Sequence, residues 1–319
     1  MTEQTQNKPP LIVLTGPTAV GKTALSIGLA KAVNGEIISA DSMQVYKKMN
    51  IGTAKILKEE MEGVPHYLID QFMPDEEFNV VKFQKYANQY IEKIYAKGKI
   101  PILVGGTGFY IQAVLKNVAF ESEEPSDSRK RLEQMAEEQG AHALHEQLKL
   151  VDPESAEKIH ENNVRRVIRA LEYYEQTGQK ISRHNEQEKQ KESPYRYAYF
   201  VLNQKREILY ERIDGRVDLM IHAGLVNEVQ SLLDAGYTKD LVSMQGLGYK
   251  EIVAFLEGQC SLDDAVYQLK RDTRHFAKRQ LTWFRREPDV IWVDKDVLPS
   301  EKEQLQFCME QLREKQILT

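Results

Sequence analysis

Short apolar segments recur along the chain, each followed by polar or glycine-rich residues. Leu11-Ile12-Val13-Leu14 is an example; its short length and β-branched side chains indicate a buried strand. Longer segments between these runs place apolar residues three or four positions apart, as in amphipathic helices. Strands that alternate with helices predict an α/β fold with a mostly parallel sheet flanked by helices. The predicted strands are residues 11–14, 36–40, 66–69, 99–104, 196–202 and 289–293.

The pattern changes near residue 119, where charged helical segments replace the strands. Apolar residues at helical spacing predict three helices, over 129–139, 142–150 and 153–178. The segment 182–193 contains no apolar side chain, which predicts a mobile loop.

These changes predict the domain organisation. We interpret residues 119–195 as a helical insertion domain. An α/β core is then formed by two parts of the chain, 1–118 and 196–319, and the second part also carries the C-terminal helices.

The turn after the first predicted strand carries a phosphate-loop pattern, a glycine and four residues before Gly-Lys-Thr. Backbone N–H groups of such a loop converge on phosphate oxygens at the positive end of a helix dipole. Lys22 adds a positive charge, and the Thr23 hydroxyl is the candidate ligand for Mg²⁺. A glycine-rich turn that binds nothing is the alternative, which the flanking strand and helix disfavour. The predicted phosphate-binding residues are Gly16, Pro17, Thr18, Ala19, Val20, Gly21, Lys22 and Thr23.

Asp41 follows the second predicted strand, so it should face the same crevice as the phosphate loop. A helix N-cap is the alternative role for this aspartate. The strand over 99–104 runs into Gly105-Gly106-Thr107-Gly108, where many ATPases place a magnesium-holding aspartate. The absence of an aspartate at this position disfavours a nucleotide hydrolase.

Composition excludes several classes of protein. With 41% hydrophobic and 29% charged residues in 319, the chain has enough apolar material for a core and fits a soluble protein. Its two cysteines, Cys260 and Cys308, exclude a disulfide framework and a four-cysteine zinc site. No signal peptide and no apolar run of membrane-spanning length is visible, so we expect a cytoplasmic protein without a membrane partner.

A net charge of −5 means that any nucleic-acid site must come from local clusters of basic residues. Arg169 lies three positions after Arg166 and four after Arg165 on one predicted helix, and the three arginines lie opposite its apolar face. Such clusters form either a phosphate-binding ridge or a solvated helix face, and the pattern alone leaves both open.

Three functions are compatible with these features. The first is group transfer to a base in nucleic acid. The second is a small-molecule or nucleotide kinase, in which Asp41 accepts a hydroxyl proton and the insertion acts as a lid. The third is a nucleotide switch whose insertion binds a partner, which the absence of a base-reading motif disfavours.

Beyond the phosphate loop, several further motifs occur in a specific order through most of the chain. The sequence they form resembles the bacterial tRNA dimethylallyltransferases, or tRNA isopentenyltransferases. The segments that carry the resemblance are Ser39-Ala40-Asp41-Ser42-Met43-Gln44-Val45-Tyr46, Asn50-Ile51-Gly52-Thr53-Ala54-Lys55, Val104-Gly105-Gly106-Thr107-Gly108, residues 163–172, Gln245-Gly246-Leu247-Gly248-Tyr249-Lys250, and Ala277-Lys278-Arg279-Gln280-Leu281-Thr282-Trp283-Phe284-Arg285.

The resemblance implies a P-loop-type sheet that transfers a dimethylallyl group from its diphosphate to N6 of adenosine 37 of tRNA. Asp41 is then the general base, with Thr18, Lys22 and Arg216 as the other catalytic residues, and the phosphate loop holds diphosphate with Mg²⁺ on Thr23. Residues implied to contact tRNA are Asp41, Ser42, Met43, Gln44, Thr107, Arg129, Arg165, Arg166, Val167, Ile168, Arg169, Gln245, Gly246, Leu247, Gly248, Tyr249 and Lys250.

Two departures refine this expectation. The zinc module of eukaryotic relatives is not seen in the sequence, so no zinc is expected. Adenylate isopentenyltransferases share the loop, but the helical insertion and its arginines favour a tRNA acceptor over a free nucleotide. We further expect the protein to act as a monomer.

Overall fold

A parallel sheet of six strands organises the computed structural model, which describes residues 8–120 and 127–318. The order across the sheet is β3-β2-β4-β1-β5-β6, and every pair is parallel. The predicted α/β fold and all six predicted strands are therefore confirmed. The third strand is shorter than predicted because Leu68 has a positive φ of 60°. The strands are β1 (Pro10–Thr15), β2 (Gly35–Ser39), β3 (His66–Tyr67), β4 (Ile100–Gly105), β5 (Arg196–Asn203) and β6 (Val290–Asp294).

Both faces of the sheet are covered by helices, which explains the uninterrupted apolar runs of the strands. In β1, Leu11 and Val13 contribute to the core on one face, and Ile12 and Leu14 to the core on the other. The helices that belong to this α/β unit are α1 (Lys22–Ala32), α2 (Val80–Tyr95), α3 (Gly108–Leu115), α8 (Arg206–His222), α9 (Leu225–Asp234), α10 (Tyr249–Leu256), α11 (Leu262–Phe284) and α12 (Glu301–Glu314).

The chain forms two compact units. The α/β unit consists of the residues up to Leu115 and those from Pro194 onward, and the second unit is Lys116–Ser193. The second unit has a core of its own, which includes Leu132, Leu144 and Leu171. Its helices are α4 (Asp127–Val151), α5 (Pro153–Lys158), α6 (Val164–Thr177) and α7 (Ile181–Gln190).

The predicted loop over 182–193 is wrong, because the helix α7 covers most of it. Its Arg, Glu, Gln and Lys side chains are good helix formers. The buried carboxylate of Asp152 fixes the start of the helix by accepting bonds from the backbone N–H of Ser182 at 3.0 Å and from its hydroxyl at 2.7 Å. Two buried hydrogen bonds between Ser182 and Asp152 therefore hold this helix in place, although residues 182–193 have no apolar side chain.

The prediction of a single helix over 153–178 is also wrong. It is interrupted between α5 and α6, where Ile159 is extended and Asn163 begins the second helix. The predicted gap between 139 and 142 is confirmed by Gly140, whose φ of 84° breaks α4.

Within the described residues, no helix has the length and apolar character needed to cross a membrane.

Candidate active site

The carboxyl ends of the central strands meet at one edge of the sheet, where open α/β sheets bind their ligands. β1 ends in the phosphate loop, β2 leads to Asp41, and β4 leads to Thr107. Strand order explains this proximity, because β1 and β2 both flank β4. A Cβ on Gly105 would lie 2.2 Å from the carbonyl oxygen of Ala40, so the segments after β2 and β4 touch through their backbones.

Three residues of the phosphate loop have positive φ. Gly16 has a φ of +148°, and a Cβ there would lie 2.7 Å from the carbonyl oxygen of Leu202. Gly21, with a φ of 95°, is the N-cap of α1. Ala19 also has a positive φ, of 62°, although it carries a side chain. Such strained backbone persists where the surrounding structure holds it, commonly at binding sites.

The N-terminus of α1 is arranged for an anion. No side chain caps it and its first turn contains no acidic residue. Acidic and hydroxyl side chains normally satisfy the free N–H groups of a helix start. Since no side chain makes such a bond here, the backbone donors and the positive end of the helix dipole are left for an external negative group, such as phosphate.

Lys22 lies across this loop. Its Nζ donates to the carbonyl oxygens of Gly16 at 3.0 Å and Pro17 at 2.9 Å. Burial lowers the pKa of the Lys22 ammonium from 10.5 to about 8. The negative charge of Asp41 raises this pKa, and the positive charge of Arg216 lowers it further.

Arg216, on α8, belongs to the same group of charges. Burial lowers the pKa of its guanidinium, the charge of Asp41 raises it, and the charge of Arg212 lowers it. The predicted catalytic residues Lys22, Asp41 and Arg216 are thus close enough to influence one another electrostatically. Two partly buried cations beside a helix N-terminus form a favourable site for a compact polyanion.

The alternative role of Asp41 as a helix N-cap is not seen, because no helix starts after it; its carboxylate holds a turn instead. Its Oδ1 accepts hydrogen bonds from the backbone N–H groups of Met43 at 2.9 Å and Gln44 at 3.4 Å. No hydrogen bond to its Oδ2 is present among the described residues, so one carboxylate oxygen remains for other chemistry. The next residue, Ser42, donates its N–H to the hydroxyl of Thr107 at 3.3 Å. The structure therefore brings Asp41, Ser42 and Thr107 together.

Gln44 is used inside the protein. Its amide donates to the carbonyl oxygens of Thr53 at 3.4 Å and Ala54 at 3.3 Å, and accepts from the Ser39 hydroxyl at 3.3 Å. An amide with these three partners holds the 50–55 loop. A contact between this amide and tRNA, which the resemblance implies, would require Gln44 to give up these bonds.

Glu228, on α9, anchors the 50–55 loop from the other side. Its carboxylate accepts three backbone N–H groups, those of Asn50, Ile51 and Gly52, at 2.9, 2.8 and 3.1 Å. The hydroxyl of Tyr249 donates to the same carboxylate at 2.7 Å. A charged acceptor with four donors is a strong local anchor.

The segment 245–250 packs against the Asp41 turn. A Cβ on Gly246 would lie 2.4 Å from Cε of Met43, so these two predicted tRNA-contacting segments adjoin. Gln245 and Lys250 are exposed, whereas Tyr249 is fully buried and bound to Glu228. The side chain of Tyr249 is therefore a structural element, and the exposed members of the segment remain available for contact.

In the second unit, the predicted arginines fall on one helix and its neighbour. Arg165 and Arg166 are exposed on α6. Arg169 and Arg129 both approach the buried carboxylate of Glu172, at 3.4 and 3.9 Å. This shared carboxylate brings the two guanidinium groups together on the unit.

Two residues of the predicted tRNA surface are corrected by the structure. Val167 and Ile168 are 0% and 5% exposed and belong to the core of the second unit. They lie on the apolar face that the helical periodicity predicts, so their side chains pack inward. We therefore remove both from the candidate contacts with nucleic acid.

The residues around the loop fit a phosphate-held magnesium ion. No group of three or more His, Cys, Asp or Glu side chains that could enclose a metal occurs in the described part of the chain. Thr23 is exposed in the first turn of α1. Mg²⁺ characteristically takes few protein ligands, keeps several waters and binds substrate phosphates. One hydroxyl at a phosphate loop suits that preference.

Sequence reasoning missed several residues at the site. Lys295 donates to the carbonyl oxygen of Val20 at 3.1 Å, and a Cβ on Gly21 would lie 3.0 Å from its Nζ and 3.3 Å from Nη2 of Arg212. Gln280, on α11, bonds to the phosphate loop directly. All three come from distant parts of the chain and have no local motif that distinguishes them. Gln280 did lie in a segment that carries the family resemblance, but its role there was not predicted.

The parallel sheet, the phosphate loop after β1 and the carboxylate after β2 define a P-loop-type α/β protein. A family model described as IPP transferase matches residues 44–287. A tRNA dimethylallyltransferase from Lachnoclostridium phytofermentans is 64% identical over 310 residues, which cover 97% of this chain and 99% of that protein. The chain therefore belongs to the IPP transferase family, also called the tRNA dimethylallyltransferases.

Solved structures agree with this assignment. A tRNA Δ(2)-isopentenylpyrophosphate transferase from Staphylococcus epidermidis has a TM-score of 0.72 and 46% identity, and the match covers 96% of this chain and all of the other. A eukaryotic dimethylallyltransferase acting on tRNA has a TM-score of 0.78 and 33% identity, with 90% of this chain and 74% of the other covered.

Proposed function

We propose that this protein transfers a dimethylallyl group from dimethylallyl diphosphate to N6 of adenosine 37 of tRNA and releases diphosphate. Its family membership and the names of its relatives support this activity. The observation that carries the proposal is the placement of a carboxylate, Asp41, at the same edge of the sheet as the phosphate loop. The leaving diphosphate needs positive charge, which the phosphate loop provides through Lys22. The attacking amine needs a negative group that accepts its proton, which Asp41 provides.

The phosphate loop binds the diphosphate of the donor. As the allylic C–O bond breaks, negative charge grows on the diphosphate, and Lys22, Arg216 and the N–H groups at the start of α1 stabilise it. The pKa of Lys22 is about 8 before an anion arrives. A bound polyanion raises that pKa, which keeps the ammonium charged throughout the reaction.

Asp41 acts as the general base. The exocyclic amine of adenine is a weak nucleophile because its lone pair is delocalised into the ring, so removal of its proton assists the attack. The turn holds Oδ1 of Asp41, and Oδ2 takes the proton. Thr18, half-buried in the loop, lies on the donor side, where its hydroxyl helps to orient the reacting groups.

Mg²⁺ would be held by Thr23 together with diphosphate oxygens and water. When bound, it neutralises part of the charge on the leaving group. Replacing Thr23 with Val, which removes the hydroxyl at nearly constant shape, should raise the magnesium concentration needed for half-maximal rate. An unchanged magnesium dependence would remove Thr23 from the metal site.

Two sets of residues are proposed to bind tRNA. In the α/β unit they are the Asp41 turn, Thr107 and the exposed residues of the 245–250 segment. In the second unit they are Arg129, Arg165, Arg166 and Arg169, whose guanidinium groups suit phosphate contacts. Adenosine 37 must leave its stack to reach Asp41, as in other enzymes that modify bases.

Nucleoside mass spectrometry tests the proposal. Unmodified tRNA is incubated with the protein, Mg²⁺ and dimethylallyl diphosphate, and the digested nucleosides should contain N6-dimethylallyladenosine with an equal amount of diphosphate released. Reactions with ATP in place of the donor, and with AMP in place of tRNA, are the controls. Phosphate transfer from ATP would support a kinase, and efficient prenylation of AMP would support a free-nucleotide acceptor; either result would contradict the proposal.

A further inference from the structure

Gln280 is a buried amide that joins two loops of the active site. Gln280 is 6% exposed and lies on α11, which begins far along the chain at Leu262. Its Oε1 accepts the backbone N–H of Thr18 at 2.9 Å. Its Nε2 donates to the carbonyl oxygen of Gly106 at 2.9 Å. Both ends of the amide are therefore satisfied, one by each loop.

The two loops serve different substrates in the proposed reaction. Thr18 belongs to the phosphate loop, which holds the donor. Gly106 precedes Thr107, whose hydroxyl accepts the N–H of Ser42 and whose own N–H donates to the carbonyl of Ala40, at 3.3 and 3.2 Å. These two bonds lead directly to the Asp41 turn. A single side chain thus links the donor loop to the segment that carries the base.

The fit around Gln280 is tight. A Cβ on Gly106 would lie 2.2 Å from Nε2 of Gln280, and a Cβ on Gly108 would lie 2.3 Å from Cδ1 and Nε1 of Trp283. The glycines after β4 therefore allow α11 to approach the loop backbone closely. This close approach places the amide of Gln280 directly against the loop backbone, where it can bond to Gly106.

The backbone N–H that Gln280 binds is also compatible with the binding of an anion by the loop. Gln280 takes the N–H of Thr18, at the beginning of the loop. No side chain caps the start of α1, which leaves the N–H groups of its first turn for an anion. Gln280 therefore orients the loop without competing for the donors nearest the helix.

We propose that Gln280 is a positioning residue that sets the distance between the phosphate loop and the Asp41 turn, and with it the alignment of donor and acceptor. The inference rests on the proposed transferase activity. Gln280 acts through Thr18 and Gly106 and needs no contact with either substrate. Small displacements of reacting groups are costly, since misplacement by about 1 Å can lower a rate about 100-fold.

The test replaces Gln280 with Met, which keeps the length of the side chain and removes both hydrogen bonds. We expect the single-turnover rate at saturating tRNA and donor to fall about 10- to 100-fold, with diphosphate affinity changed less than about threefold. The matched control is Gln304→Met. Gln304 is 1% exposed on α12 and donates to the carbonyl of Leu298 at 2.8 Å, so this variant loses a buried amide away from the site.

The control variant should lose stability and keep its rate per folded molecule. Thermal unfolding of both variants separates stability from catalysis. If Gln280→Met loses stability as Gln304→Met does and retains the wild-type rate, Gln280 has only a structural role. If the wild-type chain itself transfers no dimethylallyl group, the proposed function fails instead.

A double-mutant cycle with Thr18→Ala provides a readout that a structural role would not affect. Thr18→Ala keeps the N–H that Gln280 binds and removes the hydroxyl that this bond positions. In the Thr18→Ala background, Gln280→Met should therefore cost less than it does in the wild type, because part of its effect has already been removed. Fully additive losses would show that Gln280 does not act through Thr18.

The conservative variant Gln280→Glu adds a pH test. An ionised carboxylate keeps an acceptor for Thr18 and repels the carbonyl oxygen of Gly106, whereas a protonated carboxyl can donate to it. Burial favours the neutral acid. The rate of the variant relative to wild type at the same pH should therefore rise as the pH falls. A ratio independent of pH would contradict the role of the Gly106 bond.

Discussion

Replacing Asp41 with Asn removes a base and leaves the turn intact. The amide oxygen of Asn can still accept the N–H groups of Met43 and Gln44, which Oδ1 of Asp41 accepts at 2.9 and 3.4 Å. The variant therefore separates the proton-accepting role of Asp41 from its role in holding the turn. General-base catalysis contributes roughly 10²–10⁴-fold, so we expect the single-turnover rate to fall by that factor, about 3–5 kcal/mol of activation free energy.

The same substitution removes one negative charge next to Lys22 and Arg216. The charge of Asp41 raises the pKa of both cations. Without it, the potential at the phosphate loop becomes more positive, while the pKa of Lys22 falls below the value of about 8 that it has beside Asp41. A low pH and the bound polyanion, which raises this pKa, keep the ammonium protonated. At pH 6.5 the affinity for diphosphate should therefore be unchanged or higher, although turnover collapses.

The assay combines two measurements on each variant, calorimetric titration with diphosphate and a single-turnover reaction with tRNA. Asp75→Asn is the matched control, because it changes the net charge equally at an exposed position. Normal turnover of Asp41→Asn would show that Asp41 only holds the turn. A collapse of diphosphate affinity would show that it shapes the phosphate loop, and either result would refute the proposed division of roles.

Three further predictions concern charge. Since the pKa of Lys22 is about 8 and a bound polyanion raises it, binding of diphosphate above pH 8 must take up a proton. The affinity should then fall by up to about tenfold per pH unit relative to Lys22→Arg, which does not titrate in this range; parallel calorimetric curves from pH 6.5 to 9.5 would contradict this. Replacing Arg165, Arg166 and Arg169 with Ala should weaken tRNA binding and flatten its log–log salt dependence by roughly 0.7–0.9 per lost contact; an unchanged slope would mean that these arginines only face water. Glu228→Gln should lower the free energy of unfolding by about 1–3 kcal/mol, measured by urea denaturation, because charge-assisted bonds to the 50–55 loop are lost; wild-type stability would exclude Glu228 as the anchor.

The features that sequence predicts well are those whose cause is local. Leu11 to Leu14 form a strand because all four side chains are buried, two on each face of the sheet. The phosphate loop is likewise specified by eight consecutive residues between a strand and a helix. Gly140 and Gly178, with φ of 84° and 70°, end helices where the pattern predicts a break or an end.

The features that sequence reasoning missed depend on partners far along the chain. α7 forms without an apolar face because Asp152, 30 residues from Ser182, fixes its start. Gln280 bonds to residues 262 and 174 positions away, and no local pattern distinguishes it from an exposed glutamine. The helical periodicity places Val167 and Ile168 on the apolar face of their helix, whereas the resemblance places them among the tRNA contacts. Both side chains are buried, so the periodicity is right.

The arrangement of charges explains how one site can hold an anionic leaving group and still keep a base. Among the described residues, no ion pair within 4.0 Å joins Asp41 to Lys22 or Arg216, although its charge affects the pKa of both. Backbone N–H groups hold Asp41 instead. A direct ion pair would neutralise the base and occupy the cations that the diphosphate needs. In the proposed reaction the charges are close but unpaired, so that electron density would move toward Lys22 and Arg216 as the donor bond breaks, while the amine proton would move toward Asp41. Under this proposal, each end of the reacting system develops its charge next to a group of the opposite sign.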